Sequence, residues 1–487
     1  MVVHTLARDY DPVVGNRILI EQIKSYANIF PCFVLMPDIW GEFLEVEVYL
    51  NEYNVRAVKL YPRTHRYFFD EYTCGKIFKV LEERSIPLFI EAGRGFDEKY
   101  NQVSFEEIDV LCSMHPGLNV VLQGARWEEA RKIFTLMKKH KNLHIEFSSF
   151  QLNRGIEYIV ENFGSDRVLF GSEFPIKSIG SARTFLDYSE ISDEDKSKIA
   201  GGNLARLLKV KIYPTDDETG DDFIESAKKG EKIKFSIIDA HAHLGAEEPV
   251  VSGYTPLIKS GIDDIFKLNE KIGIRNCCVS SWLAIWSDHK AGNEITARAI
   301  EKFPEHFIGY ASFNPYYVDD WDEELNYWFI LKKFKGIKPY YPRILIPYND
   351  VRWGKLFEFG NKFKLFALLH PSDNFVEEVD EISSLYPDVN FLLAHAGIGF
   401  KHVRDLIELV KKRNNLFFEL TFTNVPDGLI EFLVDEVGPD RIVFGTDQPI
   451  RDPAPQLGWV IYSRISPEDK MKILGLNMKR IIEECLI

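Results

Sequence analysis

Two tandem (β/α)8 barrels, the first lacking its opening strand, are the fold that this 487-residue chain predicts. Three observations carry the prediction. In the second half, short apolar or β-branched runs alternate with amphipathic stretches of helical length, the rhythm of a parallel barrel. Several of those runs end on His, Lys or Asp. The first half repeats much of the second, with the metal-binding types replaced.

The second-half runs lie near 236–241, 275–281, 307–313, 335–339, 365–370, 390–395, 415–420 and 441–446. Helical stretches such as "HVRDLIELVKKR" and "DKMKILGLNMKRIIEE" follow them. An open doubly wound sheet is the competing topology, but the Gly-rich phosphate turn after its first strand is absent.

The first half yields seven such runs. "VGNRILIEQIKSYANIFPCFVLMP" (Val14 to Pro37) lies beside "AGNEITARAIEKFPEHFIGYASFNP" (Ala291 to Pro315), and "SDRVLFGSEFPI" matches "PDRIVFGTDQPI". A spacing of roughly 275 residues is far beyond solenoid repeats and implies duplication of a whole domain. The opening "VVHTLA" aligns with "VSSWLA" (Val279 to Ala284), the second strand of the other copy, so strand 1 and its helix are missing. The gap exposes sheet edges. The natural start is therefore expected roughly 40 to 50 codons upstream, unless another segment fills the gap. The expected domains are a degenerate barrel over 1–212, an acidic linker over 213–234 and a metal-dependent barrel over 235–487.

A net charge of -15 argues against nucleic acid or an anionic membrane as partner, since either calls for a basic face. A small-molecule substrate is expected instead. The six cysteines show no C-x-x-C spacing, and adjacent Cys277 and Cys278 read as small buried hydrophobes. No charged-then-apolar leader and no apolar run of about 18 residues is present, so a reducing cytoplasm is the expected location.

The chemistry sits at the run ends. His241 and His243 in "SIIDAHAHLG" are two apart in a strand, which puts both on one face at the C-terminal mouth, where barrel active sites lie. A buried histidine pair needs a partner, and a divalent metal supplies one. His370 closes "KLFALL", His395 closes "NFLLA" and Asp447 follows "RIVFG". Singly, each reads as a structural histidine or a turn residue; together on one mouth they read as ligands and proton carriers. Nitrogen and oxygen donors without thiolate suit one Zn²⁺ per chain, and Mn²⁺, Fe²⁺ or Co²⁺ suit the same set. A metal-activated water and a neighbouring carboxylate would then make a hydrolytic pair.

These stretches resemble the amidohydrolase superfamily, specifically the amidohydrolase-related branch that includes aminocarboxymuconate semialdehyde decarboxylase. "IIDAHAHLG", "AGN", "GIK", "LAHAG", "FGTDQP" and "ILGLN" carry the likeness from about Phe235 to the C-terminus. The resemblance implies His241, His243, His370 and Asp447 as metal ligands. It implies His395 as the residue acting on substrate and Asp447 also as acid/base. Lys338 stands where binuclear members carry a carboxylated lysine; its other reading is a lysine steering an anionic substrate or paired with a local acid. Lys338, Arg343 and Trp282 are candidate substrate contacts, with His289, Tyr340, Tyr341 and Arg451 in the same loops. Glu419 in "LFFELT" is a candidate partner of a ligating histidine.

The first copy has Lys59 opposite Lys338, and carries Glu91, Gln123 and Glu173 in place of His370, His395 and Asp447. Lys59 is expected to pair with Glu91 or Glu173 in a vestigial pocket, with the two halves packed as an internal pseudo-dimer and further homo-oligomers open. The first reading is a metal-dependent hydrolase of a small, carboxylated amide, ester or lactone. A non-oxidative decarboxylase is the alternative, and a non-catalytic binding protein is the third.

Overall fold

The computed structural model describes residues 1–40, 44–92, 102–211, 220–245 and 258–487. The chain divides into two compact units, one of Met1–Gly171 and Ser189–Glu218, the other of Ser172–Tyr188 and Thr219–Ile487.

The first unit holds six short parallel strands in sequential order: β1 (Phe33–Val34), β2 (Val58–Lys59), β3 (Leu88–Glu91), β4 (Val120–Gln123), β5 (Leu143–Glu146) and β6 (Val168–Leu169). The seventh run expected from sequence, at the N-terminus, shrinks to a single parallel bridge between Val2 and Pro31. Its hydrogen bonds are Val2 N to Phe30 O (3.0 Å) and Cys32 N to Val2 O (2.8 Å). The strand stops there because His4 already caps the helix Thr5–Asp9, its Nδ1 accepting from the Leu6 N–H.

The second unit is an eight-stranded parallel barrel: β7 (Ile237–Leu244), β8 (Ile274–Ser281), β9 (Phe307–Ser312), β10 (Gly336–Lys338), β11 (Phe366–Leu369), β12 (Asn390–Leu393), β13 (Leu416–Leu420) and β14 (Ile442–Phe444). All eight fall on runs expected from sequence. Neighbours pair in order from β7 to β14, and an Ala242–Gln448 bridge closes the ring just beyond β14. The closing hydrogen bonds are His243 N to Gln448 O (2.7 Å) and Asp447 N to His241 O (2.7 Å).

Two sets of apolar side chains fill the barrel unit. Ile238, Cys278, Tyr310, Phe366, Leu368, Leu392, Phe417 and Val443 form the inner group, which Met478 and Ile481 of the helix Asn477–Glu484 join. A larger group lies between the strands and the surrounding helices. Burying a strand on both faces explains why its sequence reads as a continuous apolar run.

Two stretches differ from the expected boundaries. The acidic start of the expected linker lies outside the described residues, but Asp222–Lys228 is a helix whose Ala227 is fully buried in the core of the barrel unit. Its cap neighbour Asp221 pairs with the buried Lys470 at 2.7 Å. The segment Ser172–Tyr188 of the first half also packs in the barrel unit. Its helix Ile179–Asp187 meets the helix Pro453–Ile461 at Gly180 and Gly458, where a Cβ on either would fall within 2.5 Å of the other helix.

Buried asparagines pin the loops between elements. Asn415 donates through Nδ2 to three carbonyls, those of Ser383, Tyr386 and Val389, at 3.0 to 3.2 Å. Leucine there would remove all three bonds at a buried site, and of the three carbonyls that of Tyr386 would keep its bond from Val389 N (3.2 Å). We expect Asn415→Leu to cost about 2 to 3 kcal/mol of stability, read as a lowered urea midpoint of the full chain.

Candidate metal centre

Every site residue sits at the C-terminal end of a barrel strand or just beyond it. His241 and His243 lie on β7, Lys338 ends β10, His370 follows β11, His395 lies two residues past β12, Glu419 lies near the end of β13, and Asp447 lies three past β14. All seven are buried, His241 and Glu419 completely.

Simple alternation does not aim them all inward. Ile238 and Ala240 belong to the inner group, which would turn His241 outward, but a register shift between Asp239 and Ala242 re-aims the strand end. Ala394 also belongs to the inner group, and His395 reaches the cluster through a left-handed backbone at φ 70°. Asp447 takes φ 60°. Such backbones cost energy in residues other than glycine and concentrate at functional sites.

The donor atoms converge on one place. His243 Nε2 is 3.1 Å and His241 Nε2 3.7 Å from Asp447 Oδ1. His370 Nε2 lies 2.9 Å from His395 Nε2, and Lys338 Nζ 3.0 Å from His241 Nε2. Among the described residues, His241/His370/His395 and His241/His243/Asp447 are the two groups whose donors all lie within 4.8 Å of one another. Ligands bound at about 2.1 Å stand about 3.0 to 3.4 Å apart at octahedral or tetrahedral angles, so these separations fit a single cation. Among the described residues, the Nδ1 atoms of His370 and His395 have no hydrogen-bond partner. Two neutral imidazoles facing each other through Nε2 need a proton or a metal between them. The residues fit a divalent metal.

A second layer fixes the donors. Glu419 Oε2 lies 2.9 Å from His241 Nδ1 and accepts from His395 N at 3.2 Å; Thr421 Oγ1 donates to its other oxygen. Ser280 Oγ meets His243 Nδ1 at 3.1 Å. These contacts leave Nε2 of both β7 histidines turned to Asp447, the arrangement in which an outer carboxylate orients a ligating imidazole. Asp239 accepts from His241 N (3.0 Å), Thr446 N (3.1 Å), Thr446 Oγ1 (2.6 Å) and Gln448 Nε2 (3.0 Å). Arg451 pairs with Asp447 Oδ2 and donates through Nε to Thr423 Oγ1 at 2.8 Å.

Burial governs the protonation states. It pushes Asp239 up to about 7 and Glu419 up to about 8, and pulls Lys338 down to about 7 and His395 down to about 3. His241 and His370 are likewise held neutral, as ligands must be. For Asp447, burial opposes the charge but Arg451 and His243 outweigh it and hold the carboxyl well below its usual range.

The sequence candidates fall into three positions. His241, His243, His370, His395 and Asp447 come together in the cluster. Lys338, a candidate substrate contact, lies among the donors beside His241. Trp282 stands at the rim, its ring 5.4 Å from that of His243, while Arg343 is exposed and stacks 4.2 Å over Trp286, one ring further out. Tyr340 and Phe422 complete an aromatic wall at 4.7 Å from His370 and 5.6 Å from His395. Asp239, Ser280, Thr421, Phe422, Thr446 and Gln448 were not among the sequence candidates. Asp239 alone has a local signal, an acid two residues before the first histidine.

In the first unit, Lys59 Nζ pairs with Glu91 Oε1 at 2.5 Å and lies 5.1 Å from the Tyr61 ring centroid. Burial opposes the Lys59 charge, yet Tyr61 and Glu91 hold it well above its ordinary range. Gln123 Oε1 has no hydrogen-bond partner among the described residues, and Glu173, in the segment that packs with the barrel unit, pairs with Lys177 at 3.2 Å.

A parallel barrel with nitrogen and oxygen donors gathered at one mouth defines the metal-dependent barrel enzymes. The amidohydrolase family model matches residues 15–210 and 238–482, and the chain is an enzyme of that family. The chain is 27% identical over 122 residues to the gamma-resorcylate decarboxylase of Rhodococcus jostii, a match covering 20% of this chain and 36% of that protein's length. Among solved structures, 2,6-dihydroxybenzoate decarboxylase from Rhizobium is 17% identical, covering 51% of this chain and 99% of its own, with a TM-score of 0.41. For 5-carboxyvanillate decarboxylase from Sphingomonas paucimobilis the figures are 12%, 51%, 99% and 0.42.

Glu419→Gln keeps the shape but replaces one of the two carboxyl oxygens that meet His241 Nδ1, His395 N and Thr421 Oγ1 by an amide nitrogen. Metal affinity should fall about 10- to 100-fold, measured by competition against a chelator of known affinity.

Proposed function

We propose that the barrel unit is a metal-dependent, non-oxidative decarboxylase of a small aromatic carboxylic acid. The observation that carries this is the aromatic wall over the donor cluster. Trp282, Tyr340 and Phe422 present their rings to His243, His370 and His395, a setting that suits a planar ring over the donors. The likeness to gamma-resorcylate decarboxylase supports the same reading.

The residues divide the work. His241, His243, His370 and Asp447 hold the metal, which when bound supplies Lewis-acid stabilisation of negative charge on the substrate. Arg451, fixed by Asp447, Thr423 and the Phe422 ring (5.2 Å), is a rigid cation beside the donor cluster and suits a carboxylate. As the bond to the carboxyl group breaks, its electron pair stays on the ring carbon and carbon dioxide leaves. His395 or Asp447 carries the proton that the ring carbon takes up. Zn²⁺ and Mn²⁺ both suit the donor set. Hydrolysis of an amide, ester or lactone, the first expectation from sequence, uses the same donors and is the competing reading.

We infer further that the first unit is a duplicated copy that gave up its metal. Matching details in the two units support this. Asn16 bridges both backbone groups of Val34, as Asn293 bridges those of Ser312. Asn142 and Asn415 each donate to three carbonyls, and Asn203 and Asn477 each to two.

Purified full-length chain, loaded with Mn²⁺ or Zn²⁺, is expected to release carbon dioxide from hydroxybenzoic acids. About one metal per chain should be present and lost in His241→Ala/His243→Ala, and Asp447→Ala should lower the rate at least about 100-fold. Turnover of esters, lactones or amides with no carbon dioxide released from any acid would establish the hydrolase instead.

A further inference from the structure

We propose that the first-half segment Ser172–Tyr188 is a positioning element of the metal-bearing unit, clamping the two loops that carry Phe422, Thr423 and Arg451. The inference rests on reading the donor cluster as the reaction site.

The first grip is on the loop after β13. Ser178 N donates to Val425 O at 2.9 Å and Asp427 N to Ile176 O at 3.1 Å, with an antiparallel bridge between Lys177 and Pro426. Val425 is held at φ 35°, a backbone that a β-branched residue avoids unless its neighbours impose it. The same loop presents Phe422 to His395 and Thr423 to Arg451.

The second grip is on the helix Pro453–Ile461, which starts two residues after Arg451. Thr184 Oγ1 donates to Ala454 O at 2.7 Å. A Cβ on Gly180 would lie 2.3 Å from Tyr462 Cβ and 2.5 Å from Gly458 O, so the two helices touch backbone to backbone. The loop and the helix are also tied to each other. Gln456 accepts from Phe422 N at 3.3 Å and donates to Phe422 O at 2.8 Å, and Trp459 Nε1 donates to Pro426 O at 3.2 Å.

Segment, loop and helix thus form a closed triangle with Arg451 and Phe422 along one side. The segment's end adds bonds from Tyr188 Oη to Glu231 O (2.8 Å) and from Lys271 Nζ to Tyr188 O (2.5 Å), while the donors His241, His243, His370 and His395 come from β7 and from just beyond β11 and β12. Loosening it should disturb the Arg451–Phe422 side and spare those strands.

Gly180→Ala and Thr184→Val in the full chain test this by hydrogen–deuterium exchange, read without metal or substrate. Amides of 421–428 and 449–462 are expected to exchange at least about tenfold faster in both variants. Those of β7, β11 and β12 should be unchanged, and Thr184→Ser, which keeps the hydroxyl, should behave as wild type. The visible spectrum of the cobalt(II)-loaded chain should shift in Gly180→Ala, because Arg451 acts on Asp447, and stay in place in Thr184→Ser. Wild-type exchange at 421–428 in Gly180→Ala, an equal rise across all strands, or an unshifted cobalt spectrum would each overturn the proposal. A wild-type chain that takes up no cobalt would overturn the metal reading instead, leaving the exchange result to decide the clamp separately.

Discussion

The carboxylate of Asp239 ties the first barrel strand to the last. Buried, it accepts four hydrogen bonds from N–H and O–H groups and a longer one from Cys277 Sγ, joining the His241 amide to the amide and hydroxyl of Thr446 and to the Gln448 side chain. Beside that knot, the ends of the sheet meet through backbone bonds from His243 N to Gln448 O and from Thr446 N and Asp447 N to His241 O, and through the His243–Asp447 contact. With the knot, the strand bearing both β7 histidines is locked in register against the turn bearing Asp447. The site is therefore a consequence of closure: the first and last strands must meet for His243 and Asp447 to stand 3.1 Å apart. Burial pushes the Asp239 carboxyl up to about 7, and the donors that face it offset part of that cost.

Much of this was legible in the sequence because a barrel strand buried on both faces cannot hide its pattern. Apolar runs mark the strands, and the polar residues just past each run mark the mouth, which is how His370 announces itself at once and Asp447 one residue after Thr446. The aim of the side chains was less legible. Strand alternation predicts that His241 and His243 share a face, and they do, but it takes a register shift to turn that face inward beside Ile238 and Ala240. His395 depends on a left-handed backbone that its flanking alanines do not signal. Glu419 sits inside an aromatic run, where its only clue is the oddity of a carboxylate among phenylalanines.

Packing partners were the least legible. The stretch around Asp222–Lys228 begins acidic, which reads as solvated linker, yet Phe223, Ile224 and Ala227 put an apolar side on its helix against the barrel unit. Ser172–Tyr188 has the same local pattern as the stretch after β14, so periodicity assigns it to the first half. Its actual neighbours are set by two glycines and a threonine whose roles emerge only when the helices meet. In the first unit, the ammonium of Lys59 and the carboxylate of Glu91, at the ends of β2 and β3, satisfy each other.

Because the barrel unit is assembled from two separate stretches of chain, its completion is delayed during synthesis. Ser172–Tyr188 leaves the ribosome roughly 270 residues before the helix it packs against, which at about 5 to 20 residues per second is a wait of about 14 to 54 seconds. Both stretches of the first unit, Met1–Gly171 and Ser189–Glu218, are made well before that interval ends. Throughout it, the small-residue face of Ile179–Asp187 stays unmatched on the nascent chain. The polypeptide thus carries a timing problem that a barrel built from one continuous stretch would never meet.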